Sequence, residues 1–163
     1  MDLQLRVPRE EDWPAILELA HRSLAEMPDA PRQDEWMRNR RSFAASGGIQ
    51  EHFVAVSEEG IVGYVAIERR NRTLEGLYRL FMVIEPASRS TVGTNLFVEL
   101  RERLIRLGAH QAWMMEFEAD TGFIAYLNGM GFERTKTVDL DGRIAVQLKI
   151  DEPFDSLAGV YRA

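Results

Sequence analysis

Residues 77–84 form a run of aromatic and branched side chains that stops at Pro86, and a second β-rich run follows at 112–118. Between them lies a helical stretch in which Phe97, Leu100, Leu104 and Leu107 share one face, with Glu99/Arg103 and Glu102/Arg106 as i,i+4 pairs on another. Gly108 is its stop. Two strands bridged by such a helix are predicted to lie parallel in one sheet. The rest of the chain is read around that pair.

Leu3, Leu5 and Val7 alternate with polar neighbours, the period of a half-buried strand, and Pro8 ends it. Asp12 stands at an N-cap position and Pro14 in a first turn, and apolar residues from Ile16 to Leu24 recur at helical spacing, so a helix is predicted over 13–25. The segment 27–31, with Pro28 and Pro31, reads as a loop. A second amphipathic helix is predicted over 33–45 through Trp36, Met37, Arg40 and Phe43, closed by Gly47 and Gly48. Residues 52–56 and 61–67 flank Glu58-Glu59-Gly60 as an antiparallel hairpin, and 69–75 is a polar turn. After the parallel pair come a short helix over 122–128, a tight exit at Gly131, and a last hairpin of 134–140 with 143–150 around Asp141-Gly142. The order β-α-α-β-β-β-α-β-α-β-β defines an α+β chain with a mixed central sheet flanked by helices. One domain is expected over 1–150, with a C-terminal tail at 151–163.

The 163 residues are 45% hydrophobic and 28% charged, enough for one globular core. A formal charge of −6 and a pI near 5.2 argue against the broad basic surface of a non-specific nucleic-acid binder, so no nucleic-acid partner is expected. There is no Cys, which excludes disulfides, thiolate metal sites and a cysteine nucleophile, and fits a reducing cytoplasm. No segment approaches the roughly 18 apolar residues of a spanning helix, and the N-terminus does not read as a signal peptide, so no membrane partner is expected. His21, His52 and His110 fall on separate elements without zinc-ligand spacing, so no metal is expected. Glycine fingerprints of nucleotide hydrolysis and dinucleotide binding are missing, and Ser46 lacks a nucleophile-elbow context.

Residues 80–96 read as strand, small-residue loop, helix. A helix N-terminus offers unpaired N–H groups and the positive end of the helix dipole, so a loop of this kind can cradle a phosphate, with Arg89 adding a charged contact. The stretch resembles the GNAT N-acetyltransferase superfamily, in which a central strand ends near Val-x-Pro. A loop Gln/Arg-x-x-Gly-x-Gly/Ala then holds the pyrophosphate of acetyl-coenzyme A. The counterpart here is Ile84-Glu85-Pro86, then Ser88-Arg89-Ser90-Thr91-Val92-Gly93, with Thr94 next. Gly93 keeps the family residue, Ser88 stands at the Gln/Arg position, and Thr91 replaces the first glycine. A positive φ at Thr91 would cost a β-branched residue about 1–2 kcal/mol. A second resemblance lies in 115–133, where Glu116, Ile124, Gly131 and Phe132 match and Asp120 takes the family's Asn position. The tyrosine that often serves the family as general acid falls on Leu127, one residue after Tyr126.

The resemblance covers residues 3–150 and implies a GNAT-type fold with acetyl-coenzyme A as co-substrate. It implies that two parallel strands splay and that pantetheine pairs with the backbone of Met82, Val83 and Ile84. Ser88, Arg89, Ser90, Thr91, Val92, Gly93 and Thr94, with Asp120, would contact the cofactor. The acceptor, a primary amine of a small molecule or peptide, would enter beneath 27–34. Direct transfer needs a deprotonated amine and a proton source for the departing thiolate. Glu116 and Glu118 share one strand face, and a carboxylate in a mostly buried sheet has a raised pKa, which makes Glu116 a candidate base. Tyr126 and Tyr78 are further candidates, although one residue of offset turns Tyr126 by about 100° from the family's position. Two other readings compete. One is a non-catalytic GNAT-like module that binds an acyl-coenzyme A or a partner as a sensor, motivated by Thr91 and Leu127; the other is an interaction domain without a cofactor site. A homodimer through the edge of the last hairpin and the C-terminal arm is a further expectation.

Overall fold

In the computed structural model, which describes residues 3–24, 49–69, 76–140 and 142–155, the first elements are β1 (Gln4–Arg6), α1 (Trp13–Leu24), β2 (Ile49–Ser57) and β3 (Gly60–Glu68). The parallel unit follows as β4 (Leu77–Ile84), α2 (Arg89–Arg106) and β5 (Gln111–Phe117). Then come α3 (Thr121–Gly129), β6 (Glu133–Leu140) and β7 (Arg143–Asp151). The helix expected over 33–45, the loop at 27–34, most of the turn at 69–75, and Asp141 lie outside the described residues. The strands form one seven-stranded sheet in the order β1-β2-β3-β4-β5-β7-β6. All neighbours are antiparallel except β4 and β5, the pair that the crossover predicts, with α2 as the bridge.

Strand alternation sorts the core into two layers. Tyr78, Leu80, Met82 and Ile84 of β4 pack with Leu96, Phe97, Leu100 and Leu104 of α2 and with Phe123 and Leu127 of α3. Phe81 and Val83, pointing the other way, meet Leu19 and Ala20 of α1. Each buried Leu or Phe contributes about 1.5–3 kcal/mol, so these two layers fix the strand positions.

Two local expectations change. Asp12 does not cap α1: its carboxylate accepts from the Arg9 amide at 2.6 Å and from the Arg6 guanidinium at 2.6 and 3.0 Å, closing a 3-10 turn, Glu10–Asp12, against β1. The Arg6 hydrogen bonds hold the Asp12 carboxyl below the usual carboxylate range. The segment after Ile150 is not a detached tail. β7 continues to Asp151, Phe154 is buried in the main core, and Asp155 meets Arg101 at 3.3 Å. Among the described residues no helix is long and apolar enough to cross a membrane.

Candidate functional site

β4 and β5 pair over three positions only, Leu77 with Gln111, Tyr78 with Ala112 and Arg79 with Trp113. Beyond them β4 stays bonded to β3 as far as Ile84 opposite Gly63, and β5 stays bonded to β7 as far as Phe117 opposite Ala145. Each strand is held on its outer side while the inner sides part, so a wedge opens between residues 80–84 and 114–117. Backbone N–H and C=O groups are obligatory hydrogen bonders, and those on the inner edge of β4 around Met82, Val83 and Ile84 have no strand across from them among the described residues.

At the wide end of the wedge, a 3-10 turn at Pro86–Ser88 leads straight into α2. Residues 89–94, expected as a loop, are already helical, with Ser88 as N-cap. The strain expected at Thr91 is therefore absent: among the described residues Phe154 is the only non-glycine at positive φ. Thr91 Oγ1 instead donates to the Ser88 carbonyl at 3.2 Å. The first turn of α2 has no acidic residue and no side-chain cap. The Arg89 amide bonds to the Pro86 carbonyl, and the rest of this helix start, with no capping side chain among the described residues, presents the positive end of the dipole and favours an anion.

Gly93 is explained by packing within a helix. A Cβ built there would overlap Tyr126 Oη. Tyr126 reaches from α3 onto the first turn of α2, donating to the Arg89 carbonyl at 3.2 Å, with its ring centroid 5.7 Å from that of Phe97. Burial pushes its hydroxyl up to about 12, so it keeps its proton at neutral pH. Leu127, at the family's tyrosine position, is fully buried. Gly93→Ala is expected to destabilise the protein by about 1–3 kcal/mol by displacing Tyr126. In a Tyr126→Ala background the same change should stabilise by up to about 1 kcal/mol, because Ala is the better helix former. Urea denaturation of the four proteins measures this cycle, and equal effects in both backgrounds would refute the contact.

Alternation in β5 puts Ala112, Met114 and Glu116 on the α2/α3 face and Trp113, Met115 and Phe117 on the other. Burial first, and the charge of Asp120 second, push the Glu116 carboxyl up to about 7, against the opposing pull of the Phe117 amide at 3.4 Å and of Arg89. Asp120 is the N-cap of α3, accepting from the Phe123 amide at 3.2 Å. Arg89 lies over the Phe123 ring at 4.7 Å, its Nε buried without a partner. Arg89, Glu116, Asp120 and Tyr126 thus gather at the wide end of the wedge.

Two carboxylate or hydroxyl candidates stand apart from this group. Glu118, about half exposed, pairs with Arg134 at 3.0 Å. Tyr78 corrects an expectation: it sits at the narrow, paired end of β4, buried, with its hydroxyl donating to the Leu107 carbonyl at 3.5 Å. Sequence reasoning missed Phe123 as the platform for Arg89, and missed Arg143, whose guanidinium lies 3.7 Å from the centroid of the Phe117 ring. Strand alternation exposes Phe117, but only the tertiary structure shows what covers it. Among the described residues no three His, Asp or Glu gather to hold a metal ion.

Solved structures share this architecture. An N-acetyltransferase from Staphylococcus aureus superposes with a TM-score of 0.73 at 13% identity, over 93% of this chain and 99% of its own. A GNAT superfamily phosphinothricin acetyltransferase from Sinorhizobium meliloti, solved in complex with acetyl-coenzyme A, gives 0.72 at 23% identity, over 93% and 89%. A ribosomal-protein-alanine N-acetyltransferase from Brucella melitensis gives 0.69 at 18%, over 91% and 99%. No protein-family model matches the sequence, and no curated protein sequence matches it. The chain has the GNAT acetyltransferase fold.

Proposed function

We propose that this protein is an N-acetyltransferase that moves an acetyl group from acetyl-coenzyme A directly to a primary amine of a small molecule or peptide. One observation carries the reading: β4 and β5 part after three paired residues, and the wedge ends beneath an uncapped, acid-free helix start. The two features suit the two parts of one ligand. An extended arm bearing amides can pair with a strand edge, and a pyrophosphate is suited to a helix N-terminus. In this reading the backbone of Met82, Val83 and Ile84 binds the arm. The first turn of α2, with Ser88, Ser90 and Thr91, binds the phosphates, and Arg89 adds positive charge beside them. Acetyl-coenzyme A supplies an activated thioester. In the same reading Glu116, pushed up to about 7, accepts the proton of the incoming amine through water, and Tyr126, protonated at working pH, is the proton donor.

A second reading is favoured by the commitment of the Tyr126 hydroxyl to the Arg89 carbonyl: a module that binds acyl-coenzyme A without turnover. Release of free thiol from acetyl-coenzyme A in the presence of primary amines separates the two. Amine-dependent release supports the enzyme, and binding without release across the panel supports the module. A protein that does not bind acetyl-coenzyme A is neither.

A further inference from the structure

We infer that the acceptor is an amine that also carries a carboxylate on an apolar skeleton, and that Arg143 recognises the carboxylate; the inference rests on the acetyltransferase reading above. The wedge has two faces. Glu116 and the start of α2 lie on one, from which Glu116 would take the amine's proton through water across the wedge. On the other, β5 presents the half-buried Trp113, Met115 and Phe117, while α1 packs over β3 and β4. An acceptor that approaches a thioester held in the wedge meets this second face.

Phe117 is the last residue of β5, at the wide end, and Arg143 is the first residue of β7, stacked over its ring. Arg143 makes no ion pair among the described residues. Arg6, Arg22, Arg101, Arg103 and Arg134 each meet a carboxylate within 4.0 Å, whereas Arg143, like Arg9 and Arg89, meets none among the described residues. In a chain with 26 acidic and 20 basic residues, a guanidinium that meets no carboxylate among the described residues does not reflect a shortage of acids. Of the described acids at the neighbouring strand ends, Glu118 pairs with Arg134 and Asp139 accepts from the Gly142 amide at 2.7 Å. Stacking on an aromatic face fixes the plane of a guanidinium while leaving its N–H edge free, the arrangement suited to a bidentate carboxylate. The same positive charge beside an apolar surface disfavours polycationic acceptors, despite the acidic composition of the chain.

The test uses leucine, leucinamide, isopentylamine and spermidine as acceptors with acetyl-coenzyme A, in the full-length wild type, Arg143→Gln and Arg143→Lys. The wild type should prefer leucine over leucinamide and isopentylamine by about 10-fold or more in kcat/KM, with spermidine the poorest. Arg143→Gln should raise KM for leucine about 10–100-fold, well beyond any effect on leucinamide, and Arg143→Lys should recover part of the loss. Two results would overturn the inference alone: preference for spermidine or for the uncharged partners, or an equal loss on every acceptor in Arg143→Gln; binding of acetyl-coenzyme A with no turnover of any acceptor would overturn it together with the enzyme reading. Failure to bind acetyl-coenzyme A would remove the acetyltransferase reading itself, and this inference with it.

Discussion

Glu116→Gln is expected to lower activity and raise stability, and the second effect should depend on pH. As the proton acceptor, Glu116 should be worth about 10²–10⁴ in kcat/KM, and the variant should lose the limb of the pH–rate profile that rises through about 7. The stability effect follows from the direction of the shift. Folding raises this carboxyl from 4.5 to about 7, so between those values the folded state holds a proton that the unfolded chain has released. Stability therefore falls as pH rises through that window and stays reduced above it. Gln cannot ionise and should recover about 2–3 kcal/mol at pH 8 but almost none at pH 4. Urea denaturation at the two pH values, beside steady-state rates, measures both effects. Unchanged kcat/KM would remove Glu116 as the base, and an equal stability gain at both pH values would refute its buried titration.

Ser90→Glu should separate ligand affinity from folding in the same way. Ser90 is exposed in the first turn of α2, where no acidic residue stands. A carboxylate there favours the helix dipole by about 0.3–1 kcal/mol, so the variant should melt no lower than the wild type. It also puts a negative charge where the pyrophosphate is proposed to sit, which should weaken acetyl-coenzyme A binding by about 1–3 kcal/mol, roughly 10–100-fold. Misfolding cannot mimic a variant that is at least as stable and binds less well. Calorimetric titration beside a thermal melt reads both quantities, and undiminished affinity would place the phosphates elsewhere.

The parallel unit of β4, α2 and β5 was legible in the sequence because its hydrophobic period switches from strand to helix and back at Pro86 and Gly108. The start of α2 was not. Small residues at 88–94 read as a loop, whereas the short 3-10 turn from Pro86 satisfies the early amides and lets the helix begin at Arg89, where a threonine at position 91 is unstrained. Tyr78 was a candidate as a polar residue on the strand beside β5, but which end of the strand is open depends on bonds to β3 and β7, far off in sequence. The partnership of Gly93 with Tyr126 joins two helices, so neither residue alone revealed it. Phe154, a lone aromatic in a polar stretch, gave no periodic signal, yet it is buried in the core.

Hydrogen exchange of the wild type with and without acetyl-coenzyme A tests most directly whether the parted strands are the binding site. Protection is expected in peptides covering residues 80–84, 88–94 and 114–117, the parted strand segments and the helix start. Unchanged exchange, or protection confined to the outer strands β1 and β6, would contradict the account.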